Sequence, residues 1–411
     1  MEKYKLTKYS CYTANASMSV VSALTPLLFL TFHNLYGITY TMLGALVLIN
    51  FSTQLFVDLI FSFYSHKFNI TKMVKIIPIL TFIGLIVYAV FPFLFPNAVY
   101  VGLVIGTVIF ASSGGLVEVL LSPVIAEIPS ENPEREMSKL HSVYAWGVVG
   151  VVIISSLFLL VFGKENWQWL ALIWAIIPLI SAILFSRAEI PSLKTPEKAS
   201  KVFKLFKSKS FLICFFCIFF GGASECTMSQ WSSSYIEQAL GIPKIWGDIF
   251  GVALFAVMLG LGRTLYTKFG KNIYKVLLLG AMGATVCYIT AAISNIPLVG
   301  LFSCAITGFC TAMLWPGSLI VASNKFQTSG VAIFALMAAG GDLGGAVGPQ
   351  LVGTVTDLAI KSSYFIPIAN SLNLTTEQLG LKIGLVSATI FPLIATILFA
   401  VIYKNYNKCK K

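Results

Sequence analysis

The sequence has 411 residues, 57% of them hydrophobic and only 11% charged, with a formal net charge of +12. Soluble domains carry about 25% charged and at most about 50% apolar residues, so one water-facing core could not hide this much apolar surface. Lipid is the solvent that fits, and in lipid every backbone amide must be paired internally, which leaves helices or a closed barrel. The apolar runs are continuous over about 20 residues, the length of a membrane-crossing helix, and do not alternate as barrel strands do. Basic residues fall between the runs, so the positive charge reads as membrane orientation and no nucleic-acid partner is expected.

In chain order the runs predict an all-α membrane protein with twelve transmembrane helices, spans 1 to 12, at 10–35, 41–64, 73–95, 98–126, 139–163, 168–187, 210–238, 246–267, 272–293, 295–324, 329–357 and 381–403. The long polar connection 188–209 divides them into six-helix bundles at 1–187 and 210–411. With both termini cytoplasmic, every Lys and Arg except Lys164, Lys244, Lys361 and Lys382 lies on the cytoplasmic side, as the positive-inside rule requires. The start shows no small-residue cleavage site, so span 1 is expected to stay. The cysteines fall almost entirely inside apolar runs, and neither disulfides nor a metal site is expected, Cys214-Phe215-Phe216-Cys217 included.

Polar groups inside the spans mark candidate functions, because an ionised carboxylate at the bilayer centre costs at least a few kcal/mol unless it faces water or a partner. Span 1 offers Asn15, and span 2 Asn50, Gln54 and Asp58. Span 4 holds Glu118 with Gly114 and Ser122 on the same helical face. Trp146, with His141, Tyr144 and Gly147, opens span 5. Span 7 carries Glu225 with Ser229, Gln230 and Trp231, a set of hydroxyl, amide and indole groups suited to a polyhydroxylated ligand. Asp58 and Arg263 lie at similar depths in spans 2 and 8, where a structural pairing or a contact to helix-end carbonyls fits better than a gate salt bridge. Thr311 and Trp315 lie in span 10, and Asp342 follows Gly340-Gly341 in span 11.

Several features recur in the two halves. Tyr36-Gly37-Ile38-Thr39 closes span 1 and Leu240-Gly241-Ile242-Pro243 closes span 7; Gly115 and Pro123 are spaced like Gly308 and Pro316. Six spans return the chain to its starting side, so the halves can be parallel repeats. Gly262-Arg263 followed by Thr267-Lys268-Phe269-Gly270-Lys271 resembles the short cytoplasmic signature of the major facilitator superfamily after span 8. Gly115, Glu118 and Pro123 in span 4 look like the corresponding stretch of fucose permease and its relatives, and Gly340-Gly341, Pro349, Gly353 and Asp357 extend the likeness through span 11. Span 1 lacks the acid usual in that branch and has Thr13 and Asn15 as its polar residues.

The resemblance implies the major facilitator fold and, as function, proton-coupled symport of a sugar or small polyhydroxylated solute by alternating access, with a drug-efflux antiporter as the alternative. Glu118, Glu225 and Asp342 are the expected proton-coupling groups. Asn15, Asn50, Gln54, Trp146, Glu225, Ser229, Gln230, Trp231, Thr311 and Trp315 are the expected substrate contacts, with two of Trp146, Trp231 and Trp315 lining a cavity. Asp58, Arg263, Lys268 and Gly270 are gating or structural candidates. No cofactor is expected beyond a proton gradient, with sodium the alternative ion, and no enzyme chemistry. The expected setting is a bacterial inner (plasma) membrane, multi-pass, and the partners are the lipid bilayer and a small-molecule substrate, with the chain a monomer.

Overall fold

The computed structural model describes residues 2–64, 67–130, 133–191, 207–269, 272–294, 296–326 and 330–410, and among them there is no strand. Span 2 is helical over Tyr40–Tyr64, span 3 over Ile70–Leu94, span 4 over Val99–Glu127 and span 9 over Ile273–Ile293. Nine helices among the described residues are long and apolar enough to cross a membrane, and a tenth is the pair Lys5–Leu27 and Phe29–Tyr36, bent by 46°. The other two expected runs are helical as well: span 5 lies in Pro133–Phe162 and span 11 in Gly330–Lys361.

Interruptions inside the spans follow from local chemistry. The bend in span 1 comes just after Pro26, which lacks the N–H of a regular helical bond and crowds the preceding turn. Span 10 is split into Pro297–Thr311 and Leu314–Lys325. Pro316 is the cause, since it offers no N–H to the carbonyl four residues back, that of Ala312. Span 7 runs as Lys209–Ser234 and widens into a π-helix over Tyr235–Ala239, and span 8 carries another over Asp248–Ala253 before Leu254–Phe269. Such π segments occur in single turns, often at functional places.

The turns after spans 1 and 7 share a backbone state. Gly37 has φ 65° and Gly241 has φ 67°, a left-handed conformation that glycine adopts without strain. The helices of spans 3 and 9 likewise open on Asn69 and Asn272, each side chain accepting from the backbone N–H of Lys72 or Lys275. Equivalent caps at equivalent places are what a duplicated bundle produces.

The chain divides into two compact units. Unit 1 comprises Met1–Tyr36 and Ile49–Ala199; unit 2 comprises Gly37–Leu48 and Ser200–Lys411. The first turns of span 2 thus group with unit 2. Within unit 1, spans 3 and 4 pack through small residues: a β-carbon at Gly106 would lie 2.7 Å from that of Tyr88. Within unit 2, Cys214 and Cys217 belong to a buried apolar cluster with Phe211, Leu277 and Phe399, and the described cysteines are free.

At one end of unit 1 a carboxylate gathers three donors. Glu136 accepts from Tyr12 Oη at 2.8 Å and Lys139 Nζ at 3.0 Å, and Lys8 Nζ lies 3.3 Å away. Lys139 and Tyr12, then Lys8, hold its carboxyl down from 4.5 to about 2. A depressed carboxylate stabilises the fold above its unfolded value and loses that contribution as pH falls from about 4.5 towards 2. Thermal unfolding of the purified protein should therefore weaken between pH 5 and 3, and Glu136→Gln should lose on the order of 1 kcal/mol at pH 7 and flatten that dependence. An unchanged acid limb in the variant would refute the assignment.

Candidate functional site

In unit 1 the site begins with glycines. A β-carbon at Gly115 would lie 2.8 Å from Asp58 Oδ1, and one at Gly114 would lie 3.0 Å from Gln54 Cδ. Only because both positions lack a side chain can span 2 bring these polar groups against span 4. Asn50, Gln54 and Asp58 recur every fourth residue, so they share one face of span 2. Glu118 stands one turn beyond Gly114, with a carboxylate oxygen within 4.8 Å of one of Asp58's. Asp58 and Gln54 are buried, whereas Glu118 is exposed. Asn50 is half-buried, and its Oδ1 has no hydrogen-bond partner among the described residues. Two acids this close within a membrane span can hold one proton between them, and the pair changes its net charge by one when it does.

In unit 2 the acid of span 7 has a cationic partner. Arg263 Nη2 lies 3.3 Å from Glu225 Oε1, and Arg263 Nε donates to the Ala312 carbonyl at 3.1 Å. That carbonyl is the one Pro316 leaves without its helical donor, so the break in span 10 is what gives Arg263 its second anchor. Glu225 Oε2 is buried with no partner among the described residues. Such an atom is costly unless water or a ligand reaches it. Trp315 lies across two glycines: a β-carbon at Gly341 would be 2.5 Å from its ring and one at Gly222 3.0 Å from it. The indole is half-buried, which leaves part of an aromatic face available, three residues along span 7 from Gly222 to Glu225. Asp342, next to Gly341, is 1% exposed.

Other expected contacts are occupied within the protein. Trp231 is 1% exposed and donates its indole N–H to the Pro349 carbonyl at 2.9 Å, its ring beside Tyr40. Thr311 is fully buried and donates to the Thr307 carbonyl of its own helix. Asn15 Nδ2 donates to the Leu140 carbonyl at 2.6 Å, stitching span 1 to span 5. Each of these side chains thus donates to a backbone carbonyl within its own unit. Ser229 bonds the Cys226 carbonyl within its helix, while Gln230 is half-buried. Trp146 is 71% exposed. Gly270 and the side chain of Lys268 lie outside the described residues.

Residues 11–349 match the family described as the Major Facilitator Superfamily. The chain belongs to that superfamily. It is accordingly a multi-pass membrane transporter and not an enzyme. Solved structures similar to this chain include a D-xylose-proton symporter, with TM-score 0.71, 15% identity and coverage of 94% of this chain and 96% of the other. A point mutant of the nucleoside transporter NupG has TM-score 0.73 and 12% identity, covering 96% and 99%. A point mutant of the E. coli fucose:proton symporter FucP has TM-score 0.57 and 16% identity, covering 96% and 99%. Identities this low show the fold alone. No curated protein matches the chain in sequence.

Proposed function

We propose that this transporter is a proton-coupled symporter of a sugar or other small polyhydroxylated solute, carried into a bacterial cell across the plasma membrane with both termini in the cytoplasm. The observation that carries the coupling is the Asp58–Glu118 carboxyl pair, one member buried and the other exposed, brought together where Gly114-Gly115 lets span 2 approach span 4. A loaded proton removes one charge from unit 1, and a site that must close against lipid and protein closes more cheaply with less bare charge. In unit 2, Glu225, Gln230 and Trp315 supply a carboxylate, an amide and an aromatic face, the groups that take up hydroxyls and the C–H face of a sugar ring. The monomer carries the complete set. The names of the D-xylose-proton and fucose:proton symporters among the similar structures support the substrate class, while NupG's name records a nucleoside.

The test is the external pH of lightly buffered, de-energised cells expressing the protein as sugars, polyols, nucleosides and amphipathic drugs are added in turn. Alkalinisation with one sugar, independent of sodium, is the expected result. Proton movement only with drugs would replace symport by efflux, and uptake requiring sodium without a pH change would replace the ion.

A further inference from the structure

Lys382 has no part in solute binding or proton coupling, yet it is an ionisable group set inside a span, where such residues serve a site by default. It is 6% exposed. The helix that carries it, Thr376–Ala388, opens span 12. Its Nζ donates to the Ser294 carbonyl at 2.6 Å and approaches that of Ala292 at 3.5 Å. Those carbonyls lie at the end of the helix Ile273–Ile293 of span 9, whose dipole offers about half a negative charge there. An ammonium brings a full positive charge and a third N–H, so part of the charge and one donor are left over.

No acid pairs with Lys382 among the described residues. Two acids on elements packed nearby serve other donors. Asp357, on span 11, accepts from the backbone N–H of Tyr40 at 3.2 Å and of Thr41 at 2.6 Å, and so caps the start of span 2. Glu377 accepts from Tyr40 Oη at 2.8 Å and from Gln238 Nε2 at 2.7 Å. A buried charge without a counter-ion is costly, and an anion from outside the chain removes that cost.

Space for one is present within unit 2. Lys382 lines a cavity of about 300 Å³ together with Gln378 and Asn373, and Leu240, Pro297 and Leu372 are among its apolar walls. In the capping box of the helix, Gln378 Oε1 accepts from Thr375 N at 2.9 Å, which leaves the amide NH2 as its unused end. The cavity thus lies at the positive end of a 13-residue helix, beside a buried cation and an amide donor. Its surroundings are those of a lipid-facing surface. Ile296 and Leu298, on either side of Pro297, are exposed, as are Leu372 and, in the connection leading to this helix, Tyr364 and Ile366. Aromatic and aliphatic groups of this kind sit at the level of the headgroups, whereas a free phosphate ion has no use for them. We infer that the cavity holds the phosphodiester of an anionic phospholipid, its oxygens on Lys382 and Gln378 and its acyl chains along Ile296, Leu298 and Leu372, whatever solute is carried.

The experiment takes the full chain in proteoliposomes containing a photoactivatable phosphatidylglycerol, its reactive group next to the phosphate, and maps the cross-links by peptide mass. Label on residues 296–298 and 372–382 is expected in the parent. It should fall roughly tenfold in Lys382→Gln and in Gln378→Glu, since a charge-assisted bond is worth at least that factor. Glutamate serves a capping box as well as glutamine does, so Gln378→Glu keeps the helix start while its carboxylate, one turn from Lys382, takes the place of the lipid. Label on the exposed Trp246, at the start of span 8, should not change. Excess inorganic phosphate should leave the label in place; displacement by it would assign the site to the free ion and overturn the lipid. Absence of label in the parent, equal labelling by the phosphatidylcholine analogue, or unchanged labelling in both variants overturns the site. Where Lys382→Gln does not accumulate in the membrane, Gln378→Glu decides alone in the same way.

Discussion

Glu118→Gln is expected to abolish gradient-driven accumulation of the solute while sparing exchange of labelled for unlabelled solute. Glutamine keeps the size of the side chain and its capacity to hydrogen-bond with Asp58, but it cannot take up or release a proton. Exchange needs only that the loaded site turn from one side to the other. Accumulation needs the proton to travel as well, and each 100 mV of membrane potential is worth about 2.3 kcal/mol per charge, or roughly fiftyfold in concentration. In proteoliposomes with an imposed proton gradient, the variant should therefore settle near equal concentrations while counterflow continues. Asp58→Asn should act in the same direction, because the proton belongs to the pair. Full accumulation by Glu118→Gln would remove the pair from the mechanism.

Arg263→Met should destabilise the protein by about 2 kcal/mol. Removing one partner of a fully buried ion pair typically costs about 3 to 5 kcal/mol, and the lower figure applies because the Arg263 side chain is 46% exposed and the Glu225 side chain 15%. The loss has two parts. Glu225 is left as an uncompensated carboxylate, and the Ala312 carbonyl at the break of span 10 loses its side-chain donor. The double variant Glu225→Gln with Arg263→Met should recover the first part only. Thermal unfolding of the parent and the two variants in detergent separates the cases: a single variant as stable as the parent would show that the pair contributes nothing, and a double variant as weak as the single would assign the whole loss to the carbonyl.

The helices were legible because lipid imposes one rule on composition and another on length, so each apolar run of about 20 residues coincides with a described helix. The paired turns were legible too, since Gly37 and Gly241 need a conformation that few other residues adopt. Partners across the fold were not. Glu225 and Arg263 are 38 residues apart, and depth along a span tells nothing of the direction in which a side chain points around it. For the same reason Trp231, a deep indole at first sight suited to a cavity wall, proves to be packed against Tyr40 and Pro349. The stripe Asn50, Gln54, Asp58 could have been read from its period of four, but that it meets Glu118 depends on Gly114-Gly115, whose meaning appears only when the facing helix is in place. Pro316 visibly lacks an amide donor, but nothing in the sequence shows that the carbonyl it frees is claimed by Arg263.

The cap on span 2 has a consequence for how the chain is made. Tyr40 and Asp357 are 317 residues apart. At synthesis rates of about 5 to 20 residues per second, the helix is in the membrane on the order of half a minute before the carboxylate that completes its first turn exists. During that interval two backbone N–H groups at its start depend on water or lipid headgroups, and the faces of Gly44 and Tyr40 that later meet span 11 have no protein against them. Closure of this end is thus among the last events of biogenesis, and an N-terminal bundle produced alone carries an unfinished helix at its rim.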